Sequence, residues 1–463
     1  MLLIYVPKLT NRLGYTLNLM FREILHAEFG ITTDEEAFER HEGAKLAYNR
    51  RRIGDAPFIK PVELLFLTRI VDQEISSGNE DGVPTLFQVY GRDLDFGFDP
   101  LAATFYLVSR YEEYLPHRED MHNRFDAHES IAYQLGFLQT PVVDRWALMV
   151  RDKLEARYPD YRFPRRTFDF IDTIDIDTAY CYRHKGLFRT FSGGMRDLVT
   201  HQPEEVASRV RTLMHRERDP YDTFDYIFEL KKRYAIKRQV FFALLSDYSD
   251  FDKNISHNNN DFRELLQHLA DYAKMGIHTS YYSYEEPAKV ELERDRLSDI
   301  VHRTVTRNRF HFLRFKLPQS YKVLIRNGIE KDYTMGYAGE PGFRTGTCTP
   351  HHFYDLESDS ETTLKVYPFA VMDATLCRHL MMTPEEALAA FCRIMDEVKA
   401  VEGTFISIWH NESLSDRKEW KGWRPVYEGM LAHASALMYG NDGPAEWEQR
   451  TSAKQQTTND TTT

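Results

Sequence analysis

The sequence lacks the features that mark membrane-spanning and exported proteins. No apolar run in it approaches the roughly 18 residues that a membrane-spanning helix needs. The apolar start, residues 1–7, carries no basic leader and is too short for a signal peptide, so it is predicted to be a first strand. We therefore expect a cytoplasmic protein without a transmembrane segment.

The sequence also has few cysteines and no excess of positive charge. The four cysteines (Cys181, Cys348, Cys377 and Cys392) lie far apart and form no Cys-x-x-Cys pair. This spacing favours reduced thiols over a disulfide framework, and it disfavours a four-cysteine zinc site. The net charge of −12 argues against nucleic acid or an anionic membrane as the main partner. Nothing in the sequence indicates an oligomeric state.

What is present indicates a large, well-packed α/β protein. The chain has 463 residues, of which 42% are hydrophobic, so more than one domain is expected. We predict a smaller N-terminal α/β accessory domain over residues 1–160. Over residues 165–445 strands alternate with helices, which is typical of parallel strands covered by helices and predicts a distorted seven-stranded (β/α) barrel. Residues 449–463 are polar and of low complexity, and we expect them to be disordered.

The most informative motif is the pair of carboxylates in Thr173-Ile-Asp-Ile-Asp-Thr178, at the end of a predicted buried strand. Residues two apart in a strand project from the same face, so Asp175 and Asp177 lie side by side. Two neighbouring carboxylates at the end of an apolar strand are costly unless a cation, a shared proton or a basic partner offsets their charge. Asp175 and Asp177 are therefore candidate site residues, although a solvated strand end is the alternative for any such pair.

Four more polar residues fall where predicted strands end. They are His278 after Gly276-Ile277, Arg344 between two glycines, Asp373 after an apolar run, and His410 after Ile408-Trp409. The carboxyl ends of parallel barrel strands meet on one face, which is where such folds place their chemistry. Taken with the two aspartates, these residues make up the inventory of metal-assisted hydrolysis.

The order of these motifs resembles that of the polysaccharide deacetylase family, carbohydrate esterase family 4, with its NodB-homology domain. The motifs that carry the resemblance are Asp-x-Asp, Gly-Ile-His-Thr-Ser, Gly-Phe-Arg-Thr-Gly-Thr, Met-Asp-Ala-Thr and Trp-His-Asn, over roughly residues 168–430. The chain is similar in particular to the bacterial branch with an extra N-terminal domain and no secretion signal. The resemblance implies a hydrolase that removes an N- or O-linked acetyl group from a carbohydrate or sugar conjugate.

The resemblance also implies a role for each motif residue at the metal. Asp175 matches the catalytic base, which takes a proton from the attacking water. Asp177 and His278 match the first two ligands of a divalent cation, most typically zinc. Such an ion lowers the pKa of a bound water and polarises the acetyl carbonyl.

Three further roles concern proton transfer. Arg344 matches the arginine that orients the base through a charge-assisted hydrogen bond. His410 matches the general acid that protonates the leaving group, and Asp373 matches the carboxylate that holds and tunes this histidine.

The chain departs from the family pattern at the second metal histidine, which is replaced by Tyr282 in His278-Thr-Ser-Tyr-Tyr282. A neutral phenol is a poor zinc ligand compared with imidazole. Three interpretations stay open. His311, beside another predicted strand, supplies the third ligand; the metal is held weakly with extra waters; or there is no metal and the chain is a non-catalytic carbohydrate-binding pseudoenzyme. A glycosidase is disfavoured, because Asp175 and Asp177 share one strand whereas glycosidase carboxylates flank the bond.

Overall fold

The computed structural model describes residues 1–185 and 203–440. The residues predicted to form a disordered tail, 449–463, lie outside this range. Contacts within the chain divide it into two compact units, one made of Met1–Asp169, Leu313–Ala370 and Ile394–Phe405, the other of Phe170–Phe312, Val371–Arg393 and Ile406–Thr463. Segments 313–370 and 394–405, which fall inside the predicted second domain, thus group with the N-terminal residues.

The first unit contains a parallel four-stranded sheet with strand order β2-β1-β3-β4. Its strands are β1 (Leu2–Tyr5), β2 (Phe29–Thr32), β3 (Lys45–Tyr48) and β4 (Phe58–Ile59). The unit also holds an antiparallel hairpin of β5 (Ser77–Glu80) and β6 (Val83–Leu86), and the strands β11 (Lys331–Asp332), β12 (His351–Asp355) and β13 (Ser360–Val366). The prediction that residues 1–7 begin with a strand is confirmed.

The first unit has a core of buried aliphatic and aromatic side chains, and its described residues include six α-helices. They are α1 (Asn11–Leu17), α2 (Glu35–Arg40), α3 (Pro100–Val108), α4 (Ile131–Gln134), α5 (Val142–Arg157) and α10 (Gln319–Arg326). Helix α3 shows how the sequence sets such a boundary. Asp99 accepts hydrogen bonds from the N–H groups of Leu101 and Ala102, and Pro100 occupies the first turn, where its missing N–H costs nothing.

The second unit contains six strands in the order β10-β9-β8-β7-β15-β14. They are β7 (Asp169–Ile176), β8 (Arg238–Ala243), β9 (Lys274–Thr279), β10 (Arg307–Phe310), β14 (Val371–Met372) and β15 (Thr404–His410). The pairs β7–β8, β8–β9, β9–β10 and β14–β15 are parallel. The remaining helices are α6 (Pro203–Leu213), α7 (Phe224–Arg233), α8 (Asn260–Tyr272), α9 (Ala288–Val301), α11 (Pro384–Ala400) and α12 (Trp423–Tyr439).

The prediction of parallel strands alternating with helices is confirmed for this unit, whereas the closed seven-stranded barrel is not found. Among the residues that the structure describes, no pairing joins β14 to β10, so the strand order stays open. Strand β14 has only two residues and pairs with β15, which leaves little backbone for a second neighbour. Nor does any helix of the described part meet the length and apolarity required to cross a membrane.

The register of the parallel strands brings their carboxyl ends to the same level. Asp175 pairs with Phe242, Ala243 pairs with Ile277, and Arg309 pairs with His278. Side chains at and just beyond these positions therefore project from one edge of the sheet, as expected for a parallel sheet that carries a site.

Candidate metal centre

Three side chains at the carboxyl edge of the second unit form a candidate cation site. Asp177 follows the last residue of β7, His278 lies in β9, and His311 begins the short 3₁₀ turn after β10. One ligand atom from each residue lies within 4.8 Å of the other two. The Nε2 atom of His278 is 3.2 Å from Oδ1 of Asp177, and Nε2 of His311 is 3.5 Å from Oδ2. Sequence reasoning named all three residues as ligands, and the structure brings them together.

The two histidines are oriented by hydrogen bonds from their other ring nitrogens. Nδ1 of His278 lies 2.9 Å from the carbonyl oxygen of Arg309, and Nδ1 of His311 lies 2.8 Å from Oδ1 of Asp252. A carbonyl oxygen and an ionised carboxylate only accept, so each Nδ1 carries the proton and donates it. The Nε2 atoms that face Asp177 are then the ones left to bind a cation when the rings are neutral.

The pKa values of His311 and Asp177 show that the cluster favours positive charge beside Asp177. Burial by itself lowers the pKa of His311, but the negative charges of Asp177 and Asp252 outweigh it and raise that pKa to about 9. Burial also raises the pKa of Asp177, yet the charge of His311 holds it well below its usual value. Positive charge beside Asp177 is therefore favourable, whether His311 or a bound cation carries it.

The donor set agrees with this interpretation. Oδ1 of Asp177 is buried and accepts no hydrogen bond within the described residues, which is costly for a carboxylate oxygen that no ion contacts. Two imidazole nitrogens and one carboxylate are a ligand set that catalytic zinc sites use, with a further position left for water or substrate. The residues present therefore fit a divalent ion.

Within the described residues, Tyr282, which occupies the place of the family's second histidine, makes no hydrogen bond to Asp177, His278 or His311. It lies in the 3₁₀ turn Tyr281–Tyr284, where its ring packs edge-on against Phe251 with the centroids 6.1 Å apart. The ring of His311 lies instead beside that of His278, with centroids 5.0 Å apart. Of the three interpretations left open by the sequence, the geometry favours His311 as the third donor.

Asp175 is held by Arg309, a buried arginine in β10. Nη1 of Arg309 donates to Oδ1 of Asp175 at 2.6 Å, and Nη2 donates to the hydroxyl of Thr173 at 2.9 Å. The guanidinium lies over the ring of Phe242, 4.4 Å from its centroid. The other carboxylate oxygen of Asp175 is 3.6 Å from Nε2 of His278, so it faces the metal cluster.

The predicted partnership between Arg344 and Asp175 is wrong. Arg344 belongs to the first unit, where its Nε and Nη2 atoms donate to the two carboxylate oxygens of Glu113 at 2.8 and 2.7 Å. Its Nη1 atom donates to the carbonyl oxygen of Gly336. The fork of the guanidinium is thus engaged by a buried glutamate, and it is Arg309 that donates to Asp175.

His410 and Asp373 are paired as predicted. Nδ1 of His410 lies 2.8 Å from Oδ1 of Asp373, and the backbone N–H of His410 donates to Oδ2 at 2.8 Å. Burial lowers the pKa of His410, but the charge of Asp373, with smaller contributions from Asp177 and Asp175, raises it to about 10. Nε2 of His410 points to the cluster and is 3.9 Å from Oδ2 of Asp177. A protonated imidazole therefore stands beside the candidate metal position.

Two residues that support the site escaped sequence reasoning. Arg309 lies in β10, whose four residues Arg307-Asn-Arg-Phe310 are mostly polar, so no apolar pattern marks this segment as a buried strand. Asp252 lies between β8 and α8, outside any regular element, and no local pattern marks it. Together the residues can hold a cation and present a carboxylate and an imidazolium to a substrate placed there.

Comparisons with known proteins give one family match and remote similarities to solved structures. Residues 2–159 match a family of unknown function (DUF7033), which is less than half of the chain. No curated protein matches the sequence.

Among solved structures, the chain is similar to a putative polysaccharide deacetylase from Mycobacterium smegmatis, with 12% identity, a TM-score of 0.39, and 60% of this chain and 87% of that one covered. It is also similar to PuuE allantoinase, with 12% identity, a TM-score of 0.37, and 58% and 85% covered. The identity is low and the coverage of this chain is partial in both cases, so the case for function rests on the site itself.

Proposed function

We propose that this protein is a metal-dependent hydrolase that removes an N- or O-linked acetyl group from a carbohydrate or sugar conjugate. The observation that carries the proposal is the arrangement of His278 and His311, whose Nε2 atoms both face the carboxylate of Asp177 while their Nδ1 atoms are engaged elsewhere. Such an arrangement is expected of imidazoles held ready for a cation.

Asp177, His278 and His311 would hold the ion, and their mixed nitrogen and oxygen donors suit zinc. When bound, such an ion supplies an activated water and polarises the carbonyl that is attacked. The remaining chemistry belongs to proton transfer by the chain's own side chains.

Asp175 would be the general base. Its Oδ2 atom faces the cluster, 3.6 Å from Nε2 of His278, while Oδ1 is occupied by Arg309. The guanidinium stabilises the ionised carboxylate and fixes its orientation, so that one oxygen stays available to accept a proton.

His410 would be the general acid. Asp373 accepts from its Nδ1 atom and favours the protonated ring, so that Nε2 carries a proton towards the cluster. It would donate this proton to the nitrogen or oxygen of the departing sugar. The carbohydrate part of the proposal is supported by the motif order of the sequence rather than by any contact in the site.

Metal content tests the first half of the proposal. We expect the purified protein to bind about one divalent ion per chain, and His278→Ala and His311→Ala to lose most of it. Tyr282→Phe is the matched control, since this variant removes only a hydroxyl that makes no hydrogen bond to the three candidate ligands, and it should bind like the wild type. A wild-type chain that binds no divalent ion would overturn the hydrolase proposal in favour of the carbohydrate-binding pseudoenzyme.

Acetate release from a panel of N- and O-acetylated sugars tests the second half. Asp175→Asn and His410→Ala should lower the rate by about 10²-fold or more while keeping the metal, because each removes one proton-transfer group and no ligand. Unchanged release in either variant would remove that residue from the mechanism. Release from none of the sugars by a metal-loaded protein would leave the metal site but refute the substrate class.

A further inference from the structure

Asp252 is a buried carboxylate, 1% exposed, that joins the metal cluster to two loops. Its Oδ1 atom accepts from Nδ1 of His311 at 2.8 Å and from the backbone N–H of Tyr281 at 2.9 Å. Its Oδ2 atom accepts from the hydroxyl of Ser249 at 2.9 Å. Asp252 therefore contacts a candidate ligand directly, although it is not itself one of the clustered donors.

We propose that Asp252 is a positioning residue of the metal centre: by accepting from Nδ1 it fixes the tautomer and ring plane of His311 and strengthens Nε2 as a ligand. The inference rests on the proposed function in that it assumes a cation at Asp177, His278 and His311. A carboxylate that accepts from the far nitrogen of a metal-binding imidazole makes the near nitrogen a better electron donor and reduces the ordering needed on binding.

The backbone around His311 explains why such a restraint is needed. Strand β10 ends at Phe310, and His311 opens a short turn in which Phe312 takes a left-handed conformation, with φ of 58°. A bulky residue at positive φ is strained, so the strand geometry does not continue through this turn. His278, by contrast, lies within β9, and the backbone carbonyl of Arg309 in the paired strand holds its ring. The ring of His311 is held by a side chain instead.

The alternative is that Asp252 only anchors the loops. Its bonds to Tyr281 and Ser249 are of that kind, and they would serve equally well if no metal were bound. Asp219 provides a matched control for this role in the same unit. It is also buried, and its carboxylate accepts from the backbone N–H groups of Cys181, Tyr182 and Arg183, none of which belongs to the donor cluster.

The test compares Asp252→Asn, Asp252→Ala and the control Asp219→Asn as full-length chains. Zinc affinity is measured by competition with a chromophoric chelator, and the visible spectrum of the cobalt-loaded protein reports the coordination of the ion. We expect Asp252→Asn to bind zinc about 10- to 100-fold more weakly and to alter the cobalt spectrum, since loss of a partner of this kind typically has that effect. Asp219→Asn should bind zinc with wild-type affinity.

The readouts separate this inference from the proposed function. If the wild type and Asp252→Asn bind zinc equally well with identical cobalt spectra, Asp252 is a loop anchor and the inference is wrong, while the hydrolase proposal stands. If Asp219→Asn loses as much affinity as Asp252→Asn, the effect is general loosening and the inference is likewise wrong. A wild type that binds no metal overturns both. Asp252→Asn is nearly isosteric and keeps the result interpretable if Asp252→Ala fails to fold.

Discussion

Arg309 and Asp175 form a buried ion pair between β10 and β7, with Nη1 of the arginine 2.6 Å from Oδ1 of the aspartate. Strands β8 and β9 lie between β7 and β10 in the sheet. The guanidinium of Arg309 lies over the ring of Phe242 in β8. The pair leaves the second oxygen of Asp175 facing the metal cluster. As the proposed base, Asp175 is thus held in one orientation by a charge-assisted hydrogen bond.

Replacing Arg309 by lysine tests whether this orientation matters. Lysine keeps a positive charge but cannot donate to Asp175 and Thr173 in a fixed fork. We expect Arg309→Lys to lower kcat for acetate release by about 10- to 100-fold, in keeping with the loss of a charge-assisted hydrogen bond of about 1.5–3 kcal/mol. Metal content should not change, because Arg309 is not a candidate ligand and its carbonyl oxygen, which accepts from Nδ1 of His278, is present in both the wild type and the variant. A variant with wild-type kcat would show that the base needs no such partner.

Arg344 supplies the contrasting case, in which an equally buried arginine has a structural role. Its bidentate pair with Glu113 is buried, and the charges of Arg344 and Arg110 overcome the burial and lower the pKa of Glu113 to about 2. Arg110 still pairs with Glu113 when Arg344 is removed, so Arg344→Met should reduce the free energy of unfolding by about 1.5–3 kcal/mol in denaturant titrations, the contribution of a hydrogen bond to a charged group. The double variant Arg344→Met, Glu113→Leu should recover part of the loss. If Arg344→Met unfolds like the wild type, the pair is not stabilising.

The two arginines also show what the sequence can and cannot predict. Strand ends, helix boundaries such as Asp99-Pro100, and the donors Asp177, His278 and His311 follow from local patterns that a reader of the sequence can see. The residue that a long side chain contacts does not follow from such local patterns. The glycines around Arg344 suggest a close backbone approach but do not indicate that its carboxylate, Glu113, lies 231 residues earlier.

The role of Arg309 as the partner of Asp175 was not predicted for the same reason, since this bond depends on the order and register of four strands. The closed barrel was overpredicted because β-α alternation reports parallel pairing along the chain. It carries no information on whether the first and last strands of the set meet.

Gly276 in β9 provides the space in which the Phe242 ring supports Arg309. A Cβ atom at this position would lie 2.5 Å from Cε1 of Phe242 and 3.1 Å from Cβ of Arg307. Gly276→Ala must therefore displace a buried ring, and we expect a loss of about 1–3 kcal/mol in the free energy of unfolding together with lower acetate release. Adding Phe242→Leu should relieve the clash, so that the double variant is more stable than the sum of the two changes predicts. Strict additivity would contradict this packing relationship.

The pairing of His410 with Asp373 predicts a shift in the pH dependence of catalysis. The charge of Asp373 outweighs burial and raises the pKa of His410 to about 10, so neutralising that charge should lower this pKa. A general acid with a lower pKa loses its proton at lower pH. In Asp373→Asn, the alkaline limb of the profile of kcat against pH should therefore move to lower pH, with the acidic limb in place. An alkaline limb that stays put would mean that another group is the acid.

Asp172, on the opposite face of β7 from Asp175, predicts a pH dependence of stability that is separate from catalysis. Burial raises its pKa from 3.8 to about 6, although hydrogen bonds from Gln239 and Tyr427 favour the ionised form. Between these two values the folded chain holds a proton that the unfolded chain has released. The contribution of this group to stability is therefore complete below pH 3.8 and is lost as the pH rises through about 6.

The variant Asp172→Asn cannot ionise, so its stability should not fall across this window on account of residue 172. Urea unfolding of both proteins from pH 4 to pH 7 should show the wild type losing up to about 3 kcal/mol relative to the variant as the pH rises. Asp271→Asn, at a carboxylate whose side chain is 67% exposed, is the control and should change with pH as the wild type does. Parallel curves for the wild type and Asp172→Asn would show that Asp172 is ionised in the folded protein throughout, held so by Gln239 and Tyr427.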